Sequence, residues 1–518
     1  MIDPTLNLSV SPRIWLGIPG LHVDTKTCAL LEEIQPGGII LFSRNIKDPI
    51  QVARLTSDLR QLLGSRLHIC IDQEGGRVVR FPDGLTFFPG NLALGSMAMN
   101  DFERASQLAW LQGWYSGEEL SDSGIDVNLA PCVDLLSSPE SRGIGSRSFG
   151  SQPEIAGQLA SEIGAGHRAA GVHDCWKHFP GLGRVKVDPH FGLPVTPKQG
   201  CENDLLPFQK AAVSGASIVM TSHVIAEAFD AQQPVTTSKT ALRSLREDLG
   251  FTGVIMTDCI EMGGVSDQPV ESVVKGAIEA GHDIILVSHT PDIQRRVYRH
   301  LLEIIPEDSP EHIEALKRVS SLSKERSSSA VFSAEEKDSR VTDLSASEVA
   351  REICRGGVSL LSGDLPECPL IGDWLLMTPE TLSGSPVEDP LPVKELDLLF
   401  QNISACSHKE TISVDLDNDR IHQVLDVAKE YDGVILAVKG IRHHPQLQYF
   451  KDLCTEMISK LVIVLLEDPR DLQSLNLETP SRNGIPVLCA HGGRSLHLET
   501  LAEVLEGKLN PTRSNPID

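Results

Sequence analysis

The sequence predicts an α/β protein: a (β/α)8 TIM-type barrel followed by a smaller α/β sandwich domain. Three observations lead there. Short, continuously apolar, β-rich runs alternate with longer helical patterns between about residues 13 and 290. Polar residues stand at the C-terminal ends of these runs. After residue 305 the composition turns Ser- and charge-rich, and apolar runs resume near residue 346.

The eight runs are RIWLGI (13–18), GGIILF (37–42), HICID (68–72), DVNLAPCVD (126–134), VHDCWKHF (172–179), ASIVMTSH (216–223), GVIMTD (253–258) and HDIILVS (282–288). Unbroken hydrophobicity of this kind suits parallel strands buried on both faces. Connecting segments such as DPIQVARLTSDLRQLLG and SKTALRSLREDLG open on a helix-start residue, carry apolar positions at helical spacing and close on Gly. Eight such units in under 300 residues fit a closed barrel better than a doubly wound sheet. The long connections 73–125 and 135–171 carry insertions. Residues 1–305 are therefore assigned to a catalytic barrel, and 306–345 to one helix (309–323) and a Ser/charge-rich linker. Residues 346–518 form an α/β sandwich-like domain, its runs GVSLL, DWLLMT, DGVILAV, LVIVLLE and IPVLCAHG alternating with helices such as ASEVAREICRG.

Composition narrows the function. In 518 residues, 41% are apolar and 23% charged, as in a soluble protein with sizeable cores. The net charge of −25 argues against a nucleic-acid partner and against anionic membrane surfaces. No run of 18 apolar residues predicts a membrane span, and the N-terminal stretch lacks the form of a signal peptide. Eleven scattered cysteines without a CxxC pair read as reduced thiols, so a cytoplasmic location is expected. The oligomeric state is left open.

The strand-end polar residues are Asp72, Asp134, Lys177, His178, His223 and Asp258, at the face where (β/α)8 barrels carry their sites. Read singly, each is as well explained by helix capping; read together, they indicate a shared site. Directly after the fifth run, KHFPGLGRVKVDPH (177–190) sets Asp188 and His190 on an arm shaped by glycines and prolines. A carboxylate two residues from a histidine can fix its tautomer and free the other nitrogen for proton transfer, or it can be a structural pair. Asp258 can serve as nucleophile, electrostatic stabiliser or metal ligand. Helical ligand spacing of the HExxH type is missing here, and Lys177 would place a cation in a metal site, so neither metal nor cofactor is expected.

These residues carry a resemblance. KHFPG, followed by Asp188 and His190, resembles the signature of β-N-acetylglucosaminidases of glycoside hydrolase family 3. GGIILFSRNI, IDQEGGRVVRF, NLAPCVDL, IGSRSFG, MTSHV and LREDLGFTGVIMTD match in order, and the tail AEVLEGKLNPTRSNP resembles that of longer, two-domain members. The resemblance implies a retaining hydrolase acting by double displacement, with Asp258 as nucleophile, His190 as acid/base and Asp188 as its partner. It also implies sugar contacts from Asp72, Arg80, Arg147, Lys177 and His178. For Arg80 a salt bridge within its loop is the competing role; His223 and Asp134 stand behind the site, and Trp176 belongs to the core. The implied substrate is a small carbohydrate, an N-acetylglucosaminide such as a muropeptide from peptidoglycan. The alternatives are a β-glucosidase, a phosphorylase of the same family, or a catalytically retired sugar-binding protein. Three positions depart from the family pattern: Leu182 stands where His is usual, Pro189 where Ser is common, and Cys259 follows Asp258 in TDC.

Overall fold

The computed structural model describes residues 9–81, 83–139, 141, 143–327, 340–380, 395–413, 416–477 and 484–517. Strands β1 (Ile14–Gly17), β2 (Gly38–Leu41), β3 (His68–Ile71), β4 (Val127–Asn128), β5 (His173–Phe179), β7 (Ile218–Thr221), β9 (Val254–Thr257) and β10 (Ile285–Val287) form a parallel sheet in the order β10-β1-β2-β3-β4-β5-β7-β9. A bridge between Met256 and Ile284 joins its ends and closes the barrel. The two-residue strands β6 (Val195–Thr196) and β8 (Ile225–Ala226) pair outside it. Each expected run contributes one barrel strand. The fourth is the shortest, because Pro131 brings no N–H to a ladder; the chain then follows β5 through a Cys132–Lys177 bridge, with the Val133 N–H donating to the Lys177 carbonyl at 2.8 Å.

The interior is filled by Trp15, Ile40, Cys70, Val127, Cys175, Met220, Met256 and Leu286. Val319 and Leu322, from the helix Pro310–Ser327, join this cluster from the N-terminal end of the strands. There the His173 ring donates Nε2–H to the Leu322 carbonyl at 2.8 Å, and Arg318 pairs with buried Asp283 at 2.9 Å. The helix expected over 309–323 thus plugs the bottom of the barrel and leaves the other end open. Residues 328–339 of the expected linker lie outside the described residues.

Asp48 caps the helix Pro49–Leu63 by accepting from the Gln51 N–H, and Gly64 ends it at φ 93°. The insertion after β3 adds the helices Asn91–Ala98 and Phe102–Asp122. A second sheet has the order β11-β16-β15-β14-β12-β13, made of β11 (Ser359–Ser362), β12 (Trp374–Pro379), β13 (Cys406–Ile412), β14 (Gly433–Val438), β15 (Leu461–Leu465) and β16 (Val487–Cys489). All its pairings are parallel except β11 with β16. Apolar side chains pack on both faces, Leu376, Ile435 and Val464 on one and Leu375, Leu436 and Ile463 on the other. The pattern did not predict β13: CSHKETI is polar, and it sits at the sheet edge where only its ends are buried.

The two sheets' surroundings meet over fixed contacts. Ser96 donates to the Gly357 carbonyl at 2.7 Å, Arg104 grips Glu352 with two bonds, and the His497 Nε2 lies 3.1 Å from the Pro89 carbonyl. The tail returns to the barrel, where the Pro516 carbonyl accepts the Ser151 N–H at 2.9 Å.

Burial holds four histidines neutral: His282 and His491 are pushed down to about 3, and His167 and His497 to about 4. The unfolded chain binds protons at these positions from about pH 6.5 downward, so its proton uptake exceeds that of the folded state between about 6.5 and 4. Stability is complete above this window and falls as the pH drops through it. Calorimetry from pH 7.5 to 5 should show a monotonic fall in Tm; a flat profile contradicts the neutral-histidine assignment.

Candidate active site

The open end of the barrel holds a cavity of about 380 Å³. Of the eight residues nominated from sequence, Asp72, Arg80, Arg147, Lys177, His178, His190 and Asp258 line it, and Asp188 stands against His190.

Lys177 and His178 stand just before the last residue of β5, the longest barrel strand, with the peptide between them cis. The Lys177 ammonium is buried and lies 2.6 Å from both Asp72 and Glu74. Glu74 in turn receives two parallel bonds from Arg147, at 2.9 and 2.8 Å. Arg80 approaches the other Asp72 oxygen at 3.6 Å. The salt bridge weighed for Arg80 is therefore formed, to Asp72, and the same side chain lines the cavity. Burial works against ionisation of Glu74, yet Arg147 and Lys177 outweigh it and hold the carboxyl well below the usual range. Burial also opposes charge on Lys177, and Asp72 and Glu74 reverse the balance, raising it. The result is a chain of alternating charges along one wall, each held by its neighbours before any ligand arrives.

His178 continues that wall. Its Nδ1–H donates to Asp134 at 2.7 Å, which leaves Nε2 as the acceptor 3.5 Å from the Arg147 guanidinium. Asp134 also accepts the Leu182 N–H at 2.7 Å. Cys132, Asp134 and His178 offer three potential metal-ligand atoms within 4.8 Å of one another. Here they are joined by hydrogen bonds, Cys132 and His178 both donating to the same Asp134 oxygen.

The arm after β5 folds back on the barrel. Gly183 passes so close to the Leu135 carbonyl that a Cβ would lie 1.8 Å from it. Leu182 packs in the apolar core and does not reach the cavity, so no side chain here takes the place of the histidine usual at that position. Asp188 Oδ1 accepts both the His190 backbone N–H at 2.9 Å and its Nδ1–H at 2.6 Å. The buried Pro189 presents its carbonyl to the Gly264 N–H at 2.8 Å. A Cβ on Gly263 would meet the His190 carbonyl at 2.6 Å, so the turn after Asp258 is packed directly under the arm.

Asp258 follows β9, half-buried, and its carboxylate accepts the Cys259 N–H at 2.7 Å. His223, fully buried, donates Nε2–H to the Cys259 carbonyl at 2.8 Å and so accepts the Thr236 hydroxyl at Nδ1. Burial lowers its pKa. It therefore braces the backbone that carries Asp258. Trp176 is fully buried, donating to Asp174, and packs in the core.

Several residues carried no signal beyond their place near a strand end. Phe42, Arg44 and His289 line the cavity, with the Arg44 guanidinium 4.4 Å above the Phe42 ring. Glu74 sits two positions past Asp72 and was not among the residues nominated from sequence. Arg77 reaches Glu467 at 3.8 Å, and Lys439 meets the same carboxylate at 2.8 Å. Arg77 lies against Gly145, where a Cβ would come within 2.4 Å of its guanidinium. The second sheet's acidic turn therefore backs the loop that presents Arg147.

Glu74→Gln removes the shared counter-charge of two buried cations. It should cost about 3 kcal/mol of unfolding free energy, read from urea denaturation with the slope unchanged. A loss below about 0.5 kcal/mol, the level of an ordinary surface change, contradicts its place as the common partner.

Residues 13–322 match the glycosyl hydrolase family 3 N terminal domain. A beta-hexosaminidase of Alkalilimnicola ehrlichii is 36% identical over 294 residues, 56% of this chain and 84% of its own. One from Thiobacillus denitrificans is 37% identical over 293 residues, 56% and 81% of the two chains. Among solved structures, a family 3 beta-N-acetylglucosaminidase from Paenibacillus sp. str. FPU-7 aligns over 99% of this chain and 98% of its own, at 29% identity and a TM-score of 0.86. With its barrel and the site at the barrel's open end, this chain belongs to glycosyl hydrolase family 3.

Proposed function

We propose that this glycosidase releases terminal β-linked N-acetylglucosamine by double displacement, with peptidoglycan fragments in the cytoplasm as its substrates. One observation carries the reading. Asp258 and His190 face the same cavity, and His190 has its Nδ1 tied to Asp188. The names of the relatives, beta-hexosaminidase and beta-N-acetylglucosaminidase, support the choice of sugar.

In the first step an Asp258 oxygen attacks the anomeric carbon as the glycosidic C–O bond breaks. His190, protonated at Nε2, gives its proton to the departing oxygen. In the second step water attacks the anomeric carbon and returns a proton to Nε2, and the bond to Asp258 breaks. Histidine suits this cavity. A carboxylic acid beside ionised Asp258 would need its pKa raised to stay protonated, whereas imidazolium is a competent acid near neutral pH. Asp188 supports the positive charge and fixes which nitrogen faces the substrate. Lys177, Asp72, Arg80, Arg147 and His178 offer donors and acceptors to the sugar hydroxyls and the acetamido group. Because those charges are already paired, they bind the sugar without reorganising.

Phosphorolysis and β-glucosidase activity are the competing outcomes of one assay panel. Nitrophenyl N-acetyl-β-glucosaminide should be cleaved well ahead of nitrophenyl β-glucoside, at equal rates in phosphate and in a phosphate-free buffer. A preference for glucoside, or a requirement for phosphate, overturns the proposal.

Asp258→Ala should abolish turnover, and a fluorosugar that traps the intermediate should label Asp258 in the wild type. Absence of both turnover and labelling in the wild type would instead fit a retired, sugar-binding barrel. His190→Ala should slow natural glycosides at least tenfold more than nitrophenyl substrates, whose leaving group needs little protonation. Equal losses on both refute the acid/base role.

A further inference from the structure

A second cavity of about 820 Å³ lies between residues 79–81 and 83–87 of the barrel insertion and the second sheet's surroundings. It shares Ser43 and Arg80 with the barrel cavity, so the two spaces meet across one rim. The opening is held, not slack. The His497–Pro89 and Arg104–Glu352 contacts fix the same two parts of the molecule to each other. A terminal sugar seated on Asp72 and Lys177 must send the rest of its substrate out through the barrel mouth, and Arg80 stands where that exit meets the second cavity.

The charges in this cleft are unevenly spent. Glu395 bonds the Ser495 N–H and hydroxyl with one oxygen and reaches Arg494 only at 3.4 Å with the other. The Arg494 Nε is buried and has no hydrogen-bond partner among the described residues. Arg351 is exposed and lines the cleft; its charge acts on Glu348 of the same helix, but it forms no ion pair within 4.0 Å among the described residues. A guanidinium with unspent donors is matched by a carboxylate, whose two oxygens accept a planar fork. Asp83 and Glu499 also line the cleft, which disfavours a polyanion and admits a ligand with one carboxylate near the arginines.

We propose that this cleft is the aglycone subsite, and that Arg351 and Arg494 bind a carboxylate on the group leaving the sugar. The inference rests on the hydrolase reading above and adds to it a preference for acidic aglycones. A lactyl ether on the next sugar and an attached peptide both supply such a carboxylate.

The test compares three substrates: chitobiose, with a neutral aglycone; N-acetylglucosaminyl-N-acetylmuramic acid, with a lactyl carboxylate; and the same disaccharide carrying a short peptide on the lactyl group. The readout is kcat/KM for each acidic substrate divided by that for chitobiose. Arg351→Gln, at an exposed position without an ion pair, should lower the ratio about fivefold. Arg494→Gln should lower it further, chiefly through KM. In the wild type the ratio should fall as salt rises. A fall for the lactyl disaccharide assigns the sugar's own carboxylate, and a fall confined to the peptide substrate assigns the peptide's. Ratios unchanged in both variants, or equal losses on chitobiose and the acidic substrates, overturn the subsite. Chitobiose turnover by the wild type reports separately on the hydrolase reading.

Discussion

The buried Glu74 carboxylate between Lys177 and Arg147 is the constraint on which the open end of the barrel depends. Three elements distant in sequence converge there: the loop after β3, the short turn Gly145–Arg147 and the end of β5. Burying two cations is tolerable only with anions in contact, and the shared carboxylate meets most of that need. Asp72 closes the account on one side, and on the other His178 carries the chain of contacts to Asp134. The arrangement also explains why Lys177 can lie in a fully buried strand: its ammonium arrives among the Asp72 and Glu74 oxygens.

That network extends beyond the barrel through Arg77. Its neighbours are Gly145 on one side and the Glu467 carboxylate on the other, and Glu467 also meets Lys439. Close by, Arg470 uses Asp468 as an anchor while donating to the Ser138 carbonyl. Burial and the flanking cations make these acidic groups costly to remove, so the second sheet holds the Arg147 loop by charge as well as by shape. The second sheet need not place a group in the barrel cavity to matter there. It fixes the backs of the loops that do.

Much of the architecture was legible because its physics is local. A parallel strand buried on both faces needs a continuous apolar run, and all eight runs became strands. Asp48 and Gly64 announce a helix because capping is a matter of a few neighbouring residues. Strand β13 was not legible: an edge strand with polar positions has no apolar run to betray it. The short β4 shows the opposite error, where the apolar run extends past the two residues of regular strand, and Pro131, without an N–H, interrupts the ladder. Site residues at strand ends, such as Asp72 and Asp258, were legible from position. Glu74, Arg77 and Glu467 were not, since what defines them is a partner far along the chain and no local pattern encodes it.

The two departures in the arm after β5 have different consequences. Leu182 turns its side chain into the core, while its backbone N–H keeps Asp134 oriented for His178. The residue thus serves the site through its main chain, a role that leucine fills as well as histidine. Pro189 acts through geometry. It carries no N–H, and both N–H groups that grip Asp188 Oδ1 belong to His190, so nothing in the Asp-x-His ring is lost. Its carbonyl instead bonds Gly264, six residues past Asp258. A proline there has fewer unfolded conformations to surrender, which favours the folded arm. The arm that carries His190 and the turn that follows Asp258 are thereby joined by a backbone bond, and motion of the arm away from that turn must break it.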